Sequence, residues 1–267
     1  MESSARTRRK SWISSHSSPI NQGGKLRRIA RGEIPLQARQ ELYKRQRLAT
    51  SQEKAREEWN KYRRSVKSKV VVDALKSAVG IRQRCLYCCD SRSADVDHFI
   101  PIGIDFTKAF KWANFIWVCP ECNRRKGKRF PLDSTGAPLI IDPTRVDPWD
   151  HLILDTATGY LAPRFLDDDF DSMGEATLDV LSCINFESVT EGRKRVIRRY
   201  YEAIDRILES SDSSALFASL AREVREDEYG VSGWFALREG ATEEKFLQLR
   251  KDSPHCWRKF VRLALQN

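Results

Sequence analysis

Apolar and polar residues alternate in different ways along the 267-residue chain, and these patterns predict where its helices and strands lie. Residues 36–79 combine strong helix formers with an intermittent apolar stripe, which predicts one or two helices that stop near Gly80. Residues 81–131 carry short runs of aromatic and β-branched residues, which favour strands and loops. The stripe of the first segment consists of Leu42, Tyr43, Leu48, Trp59, Val66, Val70 and Leu75.

Two strands and one helix are predicted inside the central segment. The alternation over residues 94–100 favours a strand that ends at Pro101, and the apolar run over residues 114–118 favours a second strand. Pro120 suits the first turn of a helix, because the N–H that proline lacks would have no partner there. The expected local order is therefore strand, loop, strand, helix.

The C-terminal half is predicted to be mainly helical after a stretch of turns and short strands that reaches about Pro163. Ser188 and Glu191 have the spacing of a capping box. The helix that follows keeps one apolar face, which consists of Val196, Ile197, Tyr200, Ile204, Ile207 and Leu208. Residues 213–265 predict two or three further helices. The fold class expected is α+β, with a small core of strands and one helix embedded in a mainly α-helical chain.

Charge divides the chain unevenly. Residues 1–70 carry 19 Lys and Arg against 6 Asp and Glu, so the whole excess behind the formal net charge of +10 lies there. This predicts an arm that binds a polyanion; the alternative is a solvated basic helix that only aids solubility. The expected organisation is a disordered basic extension (1–24), a basic helical arm (25–80), a core (81–131) and a mainly helical C-terminal region (132–267).

Seven cysteines, without an apolar leader or a run of membrane-spanning length, predict a cytoplasmic protein with reduced thiols and no membrane partner. Four of them form two CxxC pairs with thirty residues between the pairs. This spacing predicts a structural Zn²⁺ site with the ligands Cys85, Cys88, Cys119 and Cys122. The remaining cysteines, Cys89, Cys183 and Cys256, are interpreted as packing residues.

A carboxylate, an imidazole and an amide lie between and beside these pairs. Asp97 is a hard oxygen ligand suited to Mg²⁺ or Mn²⁺, and Asn123 adds an amide oxygen as a second ligand. His98 is the natural general base for an attacking water. Because neighbours on a strand point to opposite faces, the strand is expected to bend or twist there. Asn114 is expected to hold the connecting loop to the His98 backbone. These groups predict a metal-assisted phosphodiesterase.

A basic run follows this set. Arg124, Arg125, Lys126 and Lys128 are expected to contact the phosphates that flank the scissile bond. The alternative is an exposed helix end, where basic groups are favourable for electrostatic reasons. Both interpretations can hold together.

In this order the motifs resemble the HNH endonucleases with a zinc-stapled ββα-metal fold. The resemblance implies that His98 is the general base, that Asp97 and Asn123 bind the catalytic ion, and that Asn114 corresponds to the middle Asn of the motif. Asp97 replaces the first His of the name-giving pattern, which should favour Mg²⁺ over a softer ion. The matching motifs are Cys85–x–x–Cys88, Val96–Asp97–His98, Asn114 and Cys119–x–x–Cys122–Asn123–x–x–Lys126.

Less specific motifs over roughly residues 25–210 resemble the HNH nuclease subunit of Septu-type anti-phage systems, also found as retron effectors. That resemblance implies an effector that works beside an ABC/SMC-like ATPase partner. DNA is favoured over RNA as substrate, because the HNH fold usually cuts DNA. The alternatives are a free-standing restriction or mobile-element HNH endonuclease, an RNA-cleaving effector, and a zinc-ribbon nucleic-acid-binding module with a degenerate site. The motifs are Lys126–Pro131, Leu139–Pro143, Asp147–Pro148, Ala176–Leu181 and Glu191–Arg195.

Overall fold

The computed structural model describes residues 29, 31–80, 82–89, 95–210 and 213–266, and the expected basic extension over residues 1–24 lies outside them. Within these residues the chain is α+β, with ten α-helices and three separate antiparallel pairs of short strands. The predicted fold class is therefore confirmed. Among the same residues, none of the helices combines the length and the apolar character that crossing a membrane requires.

Three helices precede the central segment, where one or two were expected: α1 (Leu36–Leu48), α2 (Gln52–Arg63) and α3 (Lys69–Ala78). Ser51 separates the first two, because its side chain accepts a hydrogen bond from the Lys54 N–H and so caps α2. The buried face differs in part from the predicted stripe. Leu42 and Leu75 are buried, whereas the exposed members of the stripe are Tyr43, Leu48, Val66 and Val70.

These helices pack against the central segment. Gln46 of α1 donates a hydrogen bond to the Phe106 carbonyl at 3.2 Å and accepts one from the Phe110 N–H at 2.9 Å. Part of their positive charge is neutralised within the layer, since Arg45 pairs with both Glu41 and Glu58. Helices α1–α3 therefore lie beside the central segment, and binding of a polyanion by their exposed basic residues stays a prediction.

The central segment has the strand, strand, helix order that the sequence predicts. Strands β1 (Asp95–His98) and β2 (Phe115–Val118) pair antiparallel, with Asp95 opposite Val118 and His98 opposite Phe115. Helix α4 (Pro120–Lys126) follows at once, and the Cys119 sulfur accepts a hydrogen bond from the Cys122 N–H at its start. Every residue of β2 is buried, which explains its continuous apolar run.

The C-terminal half begins with two small hairpins, β3 (Leu152–Leu154) with β4 (Leu161–Pro163), and β5 (Phe165–Leu166) with β6 (Asp169–Phe170). Six helices follow, and residues 213–265 contain four of them where two or three were expected. They are α5 (Ser172–Val180), α6 (Glu187–Glu209), α7 (Ser213–Arg225), α8 (Val231–Leu237), α9 (Glu244–Asp252) and α10 (Pro254–Ala264).

The expected capping box is not formed, because α6 begins at Glu187 and Phe186 precedes its first turn without a side-chain cap. The apolar face of α6 is confirmed, with Tyr200 and Ile204 fully buried. This half also contacts α4. Arg125 donates a hydrogen bond to the Ser182 hydroxyl at 2.9 Å, which places the turn after α5 beside the central segment.

Candidate active site and cysteine cluster

Four cysteine sulfurs meet where the segment before β1 approaches the start of α4. The sulfurs of Cys85, Cys88, Cys119 and Cys122 all lie within 4.8 Å of one another, and each residue is buried with a free thiol. The first pair is held to β2, because the Leu86 N–H donates to the Trp117 carbonyl at 3.1 Å. The expected cluster is therefore confirmed as a group of four thiols that could hold a metal ion.

Burial explains why a cation suits this cluster. Burial raises the pKa of the Cys85 thiol, so the thiolate form is unfavourable there without a positive partner. Four sulfur ligands around one point form the donor set that binds Zn²⁺ in closed structural sites. The residues present therefore fit the expected zinc ion.

A fifth thiol lies against this cluster. The sulfur of Cys183, in the short turn Ser182–Asn185, lies 3.1 Å from the sulfur of Cys122. Sequence reasoning interpreted Cys183 as a packing residue, because it lies outside the two CxxC pairs, 61 positions after Cys122. Its thiol is placed to share a hydrogen bond with the Cys122 sulfur, so it belongs to the surroundings of the candidate metal site.

The candidate active site lies between β1 and α4. Asp95 and Asp97 are two residues apart on β1 and therefore share a face. Asn123 and Lys126 are three residues apart on α4 and also share a face. The Asn123 Nδ2 donates to the Asp95 Oδ2 at 3.2 Å, and the Lys126 Nζ lies 2.9 Å from the Asp97 Oδ2. The two faces thus meet through two polar contacts.

Asp97 is a nearly buried carboxylate, with 12% of its side chain exposed. Burial raises the pKa of Asp97, and the Lys126 ammonium opposes that effect. With Asn123 on the facing helix, Asp97 supplies the hard oxygen donors that Mg²⁺ and Mn²⁺ prefer. The donor set therefore fits the expected divalent ion.

Lys126 lies in a different place from the one that the sequence suggested. It is fully buried, and its ammonium also donates to the His98 carbonyl at 2.8 Å. An ammonium enclosed in this way cannot contact a phosphate at the surface, so the expected phosphate contact does not suit Lys126. It links the Asp97 carboxylate to the backbone of the next residue.

The other basic residues of the run lie nearer the surface. Arg124 and Arg125 both pair with Glu121, and the Arg124 side chain is 76% exposed. Lys128 is exposed just after the helix. Arg124 and Lys128 are therefore accessible to a polyanion, whereas Arg125 also hydrogen-bonds to Ser182.

His98, the next residue on β1, is buried. Its Nε2 lies 2.8 Å from the Ala109 carbonyl, and because a carbonyl only accepts, Nε2 carries the proton and Nδ1 keeps a lone pair. The Trp59 ring of α2 stands edge-on at 4.5 Å between ring centroids. Burial lowers the pKa of His98 to about 4, so the imidazole is neutral at pH 7. These properties suit a proton acceptor.

Asp97 and His98, the two motif residues of β1, contact different parts of the molecule. The pairing of β1 with β2 continues through His98, so the Asp97 side chain meets α4 while the His98 ring meets Trp59 and Phe115. Lys126 bridges them, since its ammonium contacts both the Asp97 carboxylate and the His98 carbonyl. Trp59 and His98 lie far apart in the sequence, so the motif residues alone do not predict the contact between their rings.

Asn114 holds the loop between the strands. Its amide donates to the carbonyls of Ile100 and Lys108 at 3.0 and 3.1 Å, and its oxygen accepts from the Ile100 N–H at 2.8 Å. The expected anchor was the His98 backbone, whereas the observed anchor lies two residues later. The loop that carries Ala109, the partner of the His98 ring, is thereby fixed.

Comparisons with known proteins agree with this geometry. The family model described as HNH endonuclease matches residues 83–129. Septu protein PtuB of Bacillus thuringiensis is 26% identical over 135 residues, which are 49% of this chain and 48% of the relative, so the chain spans about half the length of that curated relative. No solved structure matches the chain. Residues 83–129 thus form an HNH endonuclease domain, and the resemblance drawn from the motifs is confirmed.

Proposed function

We propose that the chain is a metal-dependent endonuclease that hydrolyses the phosphodiester bonds of nucleic acid, with DNA as the favoured substrate. The observation that carries the proposal is the placement of Asp97, His98 and Asn123 on β1 and α4, inside a segment that matches the HNH endonuclease model. The four-thiol cluster at the start of α4 supports it, because a closed zinc site would hold both CxxC pairs together.

In this proposal Asp97 and Asn123 hold Mg²⁺ or Mn²⁺. When bound, that ion supplies charge neutralisation at the phosphate and at the leaving oxygen. His98 accepts the proton of the attacking water at Nδ1, since Nε2 donates to the Ala109 carbonyl. Lys126 keeps the Asp97 carboxylate and the His98 backbone in register. Arg124 and Lys128, which are exposed, bind the phosphates on either side of the scissile bond.

We further propose that the nuclease is the effector of a bacterial anti-phage system and works with an ABC/SMC-like ATPase. The support is the similarity to Septu protein PtuB over half of the chain. A neighbouring reading frame with a Walker A motif and recovery of its product with this chain are the expected findings. Full nuclease activity that is unchanged by such an ATPase would contradict this part of the proposal.

The test is a cleavage assay of the purified chain on plasmid DNA and on total RNA, with Mg²⁺ or Mn²⁺. We expect metal-dependent cutting of DNA that His98→Ala abolishes and the matched control His255→Ala, in α10, leaves unchanged. Cutting of RNA alone would overturn the assigned substrate. Cutting by His98→Ala at the wild-type rate would overturn the assigned base. Binding of nucleic acid without cutting, alone or with the ATPase, would favour a zinc-ribbon binding module.

A further inference from the structure

Asp95 opens strand β1 and belongs to none of the motif positions that the resemblance assigned. It lies two residues before Asp97 on the same strand face, and it is paired across the sheet with Val118. Its carboxylate is half-buried and accepts the hydrogen bond from the Asn123 amide at 3.2 Å. A strand residue thus contacts the helix residue proposed to bind the catalytic ion.

This contact selects one orientation of the Asn123 side chain. A carboxamide has two ends of nearly equal shape, an oxygen that accepts and an NH₂ group that donates. A carboxylate only accepts, so it can face only the NH₂ end of Asn123. The oxygen is then directed away from Asp95. In the opposite orientation the two oxygens would repel each other, and Asn123 would present its NH₂ group to a cation.

The second contact between the same faces has the same form. Lys126, one helical turn after Asn123, pairs with Asp97, two residues after Asp95. Each acidic side chain of β1 therefore meets one donor of α4. The difference is burial, since Lys126 is fully buried while Asn123 is partly exposed and so has more freedom to turn.

We infer that Asp95 is a positioning residue that holds the Asn123 carboxamide with its oxygen directed to the catalytic ion. The inference rests on the proposed function, because it concerns the ion that Asp97 and Asn123 bind there. Residues that orient metal ligands by hydrogen bonds commonly change metal affinity or activity by about 10- to 100-fold when they are replaced. Asp95 therefore acts through Asn123 and does not touch the substrate.

The test compares Asp95→Ala with Asp95→Asn, in which the amide oxygen of the new side chain can still accept the hydrogen bond. Mn²⁺ affinity is measured from the electron paramagnetic resonance of free Mn²⁺ on the zinc-loaded full chain. For Asp95→Ala we expect affinity to fall about 10- to 100-fold and kcat to fall with it, while KM for DNA, zinc content and Tm stay at the wild-type values. Asp95→Asn should recover most of the affinity. Asp168→Ala, in the exposed turn between β5 and β6, is the matched control.

Two results would overturn the inference. Wild-type Mn²⁺ affinity in Asp95→Ala would show that Asn123 needs no such partner. An equal loss in both Asp95 variants would assign the effect to charge or to direct ligation. Asp97→Ala separates this inference from the proposed function. If Asp97→Ala bound Mn²⁺ as tightly as the wild type, the proposed ion site itself would fail, and the role of Asp95 with it.

Discussion

The described residues of the central segment and the helices over residues 187–264 differ in the balance of their buried contacts, although aromatic pairs such as Trp112–Phe115 occur in the central segment too. In the central segment, polar groups meet in the interior, where the Lys126–Asp97 pair and the amide of Asn114 are buried or nearly so. In the helices, aromatic rings meet. The Phe235 and Phe246 rings stack at 4.3 Å between centroids, and Phe260 packs against Phe246 at 5.1 Å.

The difference follows from the small size of the central segment and from its proposed catalytic role. Two four-residue strands and one seven-residue helix bury little apolar surface, so a centre of thiols and a buried ion pair is suited to hold them in one geometry. Buried polar networks also specify a unique arrangement, which a catalytic site needs. Apolar contacts between aromatic rings stabilise the helices over residues 187–264 (the aromatic helices), and the candidate catalytic residues lie in the central segment. Four predictions test this division.

The largest effect is expected for loss of the metal. Cys119→Ser should lose stoichiometric zinc, because binding of structural Zn²⁺ contributes about 10–16 kcal/mol in small zinc domains and that energy is folding energy. We expect residues 85–130 to lose protection against hydrogen exchange, while α6 and α8–α10 keep theirs. Mass spectrometry of exchanged peptides, with zinc measured in parallel, is the appropriate measurement.

A chelator applied to the wild type is the matched experiment and should give the same regional pattern. If Cys119→Ser kept its thermal stability and the protection of the central segment, the thiol cluster would not be a structural zinc site. If the aromatic helices lost protection equally, the two regions would not be independent.

The second effect is expected in the other region. Phe246→Ala should lower the free energy of unfolding by about 3–5 kcal/mol, because a fully buried ring leaves a cavity among its neighbours. Zinc content should stay unchanged. Denaturant unfolding is the measurement, and Leu247→Ala, an exposed neighbour on α9, should stay within about 0.5 kcal/mol of the wild type. Loss of zinc in Phe246→Ala would show that the aromatic helices support the metal site directly.

The third effect concerns the buried ion pair. Lys126→Met keeps the aliphatic chain and removes the charge, so it should lower the free energy of unfolding by about 3 kcal/mol, since it leaves the Asp97 carboxylate without its cation. Burial raises the pKa of Asp97 and Lys126 opposes this, so the variant should raise that pKa further. Protonation then removes the unpaired charge, and the deficit should shrink as the pH falls.

Denaturant unfolding over a range of pH, in buffer without added Mg²⁺ or Mn²⁺, is the measurement. Lys128→Met, which changes an exposed charge just after the same helix, should leave stability unchanged. Equal and small effects of the two variants would contradict a structural role for Lys126 and would restore the phosphate contact that the sequence suggested.

Local spacing explains what could be predicted from the sequence. The two strands, α4 and the cysteine cluster each depend on residues a few positions apart, or on a pairing that a known motif carries. The role of Asn114 in holding the loop was also expected, although its anchor is Ile100 and not His98. In each case the residues that predict the feature belong to the motif or to the apolar run itself.

The features that the sequence did not predict depend on how elements far apart in the sequence pack against each other. Nothing near Trp59 indicates that its ring meets His98, and a lysine in a basic run gives no sign that it is buried. The same holds for α1–α3, whose charge suggested a separate arm although their contacts place them against the loop after β1. The charge composition of these helices reflects their solvent-facing residues and does not indicate which residues pack against the rest of the protein.

The smallest effect is expected where the two regions meet. Cys183, in the turn that leads into α6, lies 3.1 Å from the Cys122 sulfur, and a thiol there can donate a hydrogen bond to a metal-bound thiolate. Cys183→Ala should lower zinc affinity about five-fold, or about 1 kcal/mol, the net value of one such bond. Competition with a chromophoric chelator measures this, and Cys256→Ala, a buried thiol of α10, should match the wild type. Unchanged affinity in Cys183→Ala would reduce that residue to the packing role predicted from the sequence. A five-fold loss would mean that the turn before α6 tunes the metal site through one side chain.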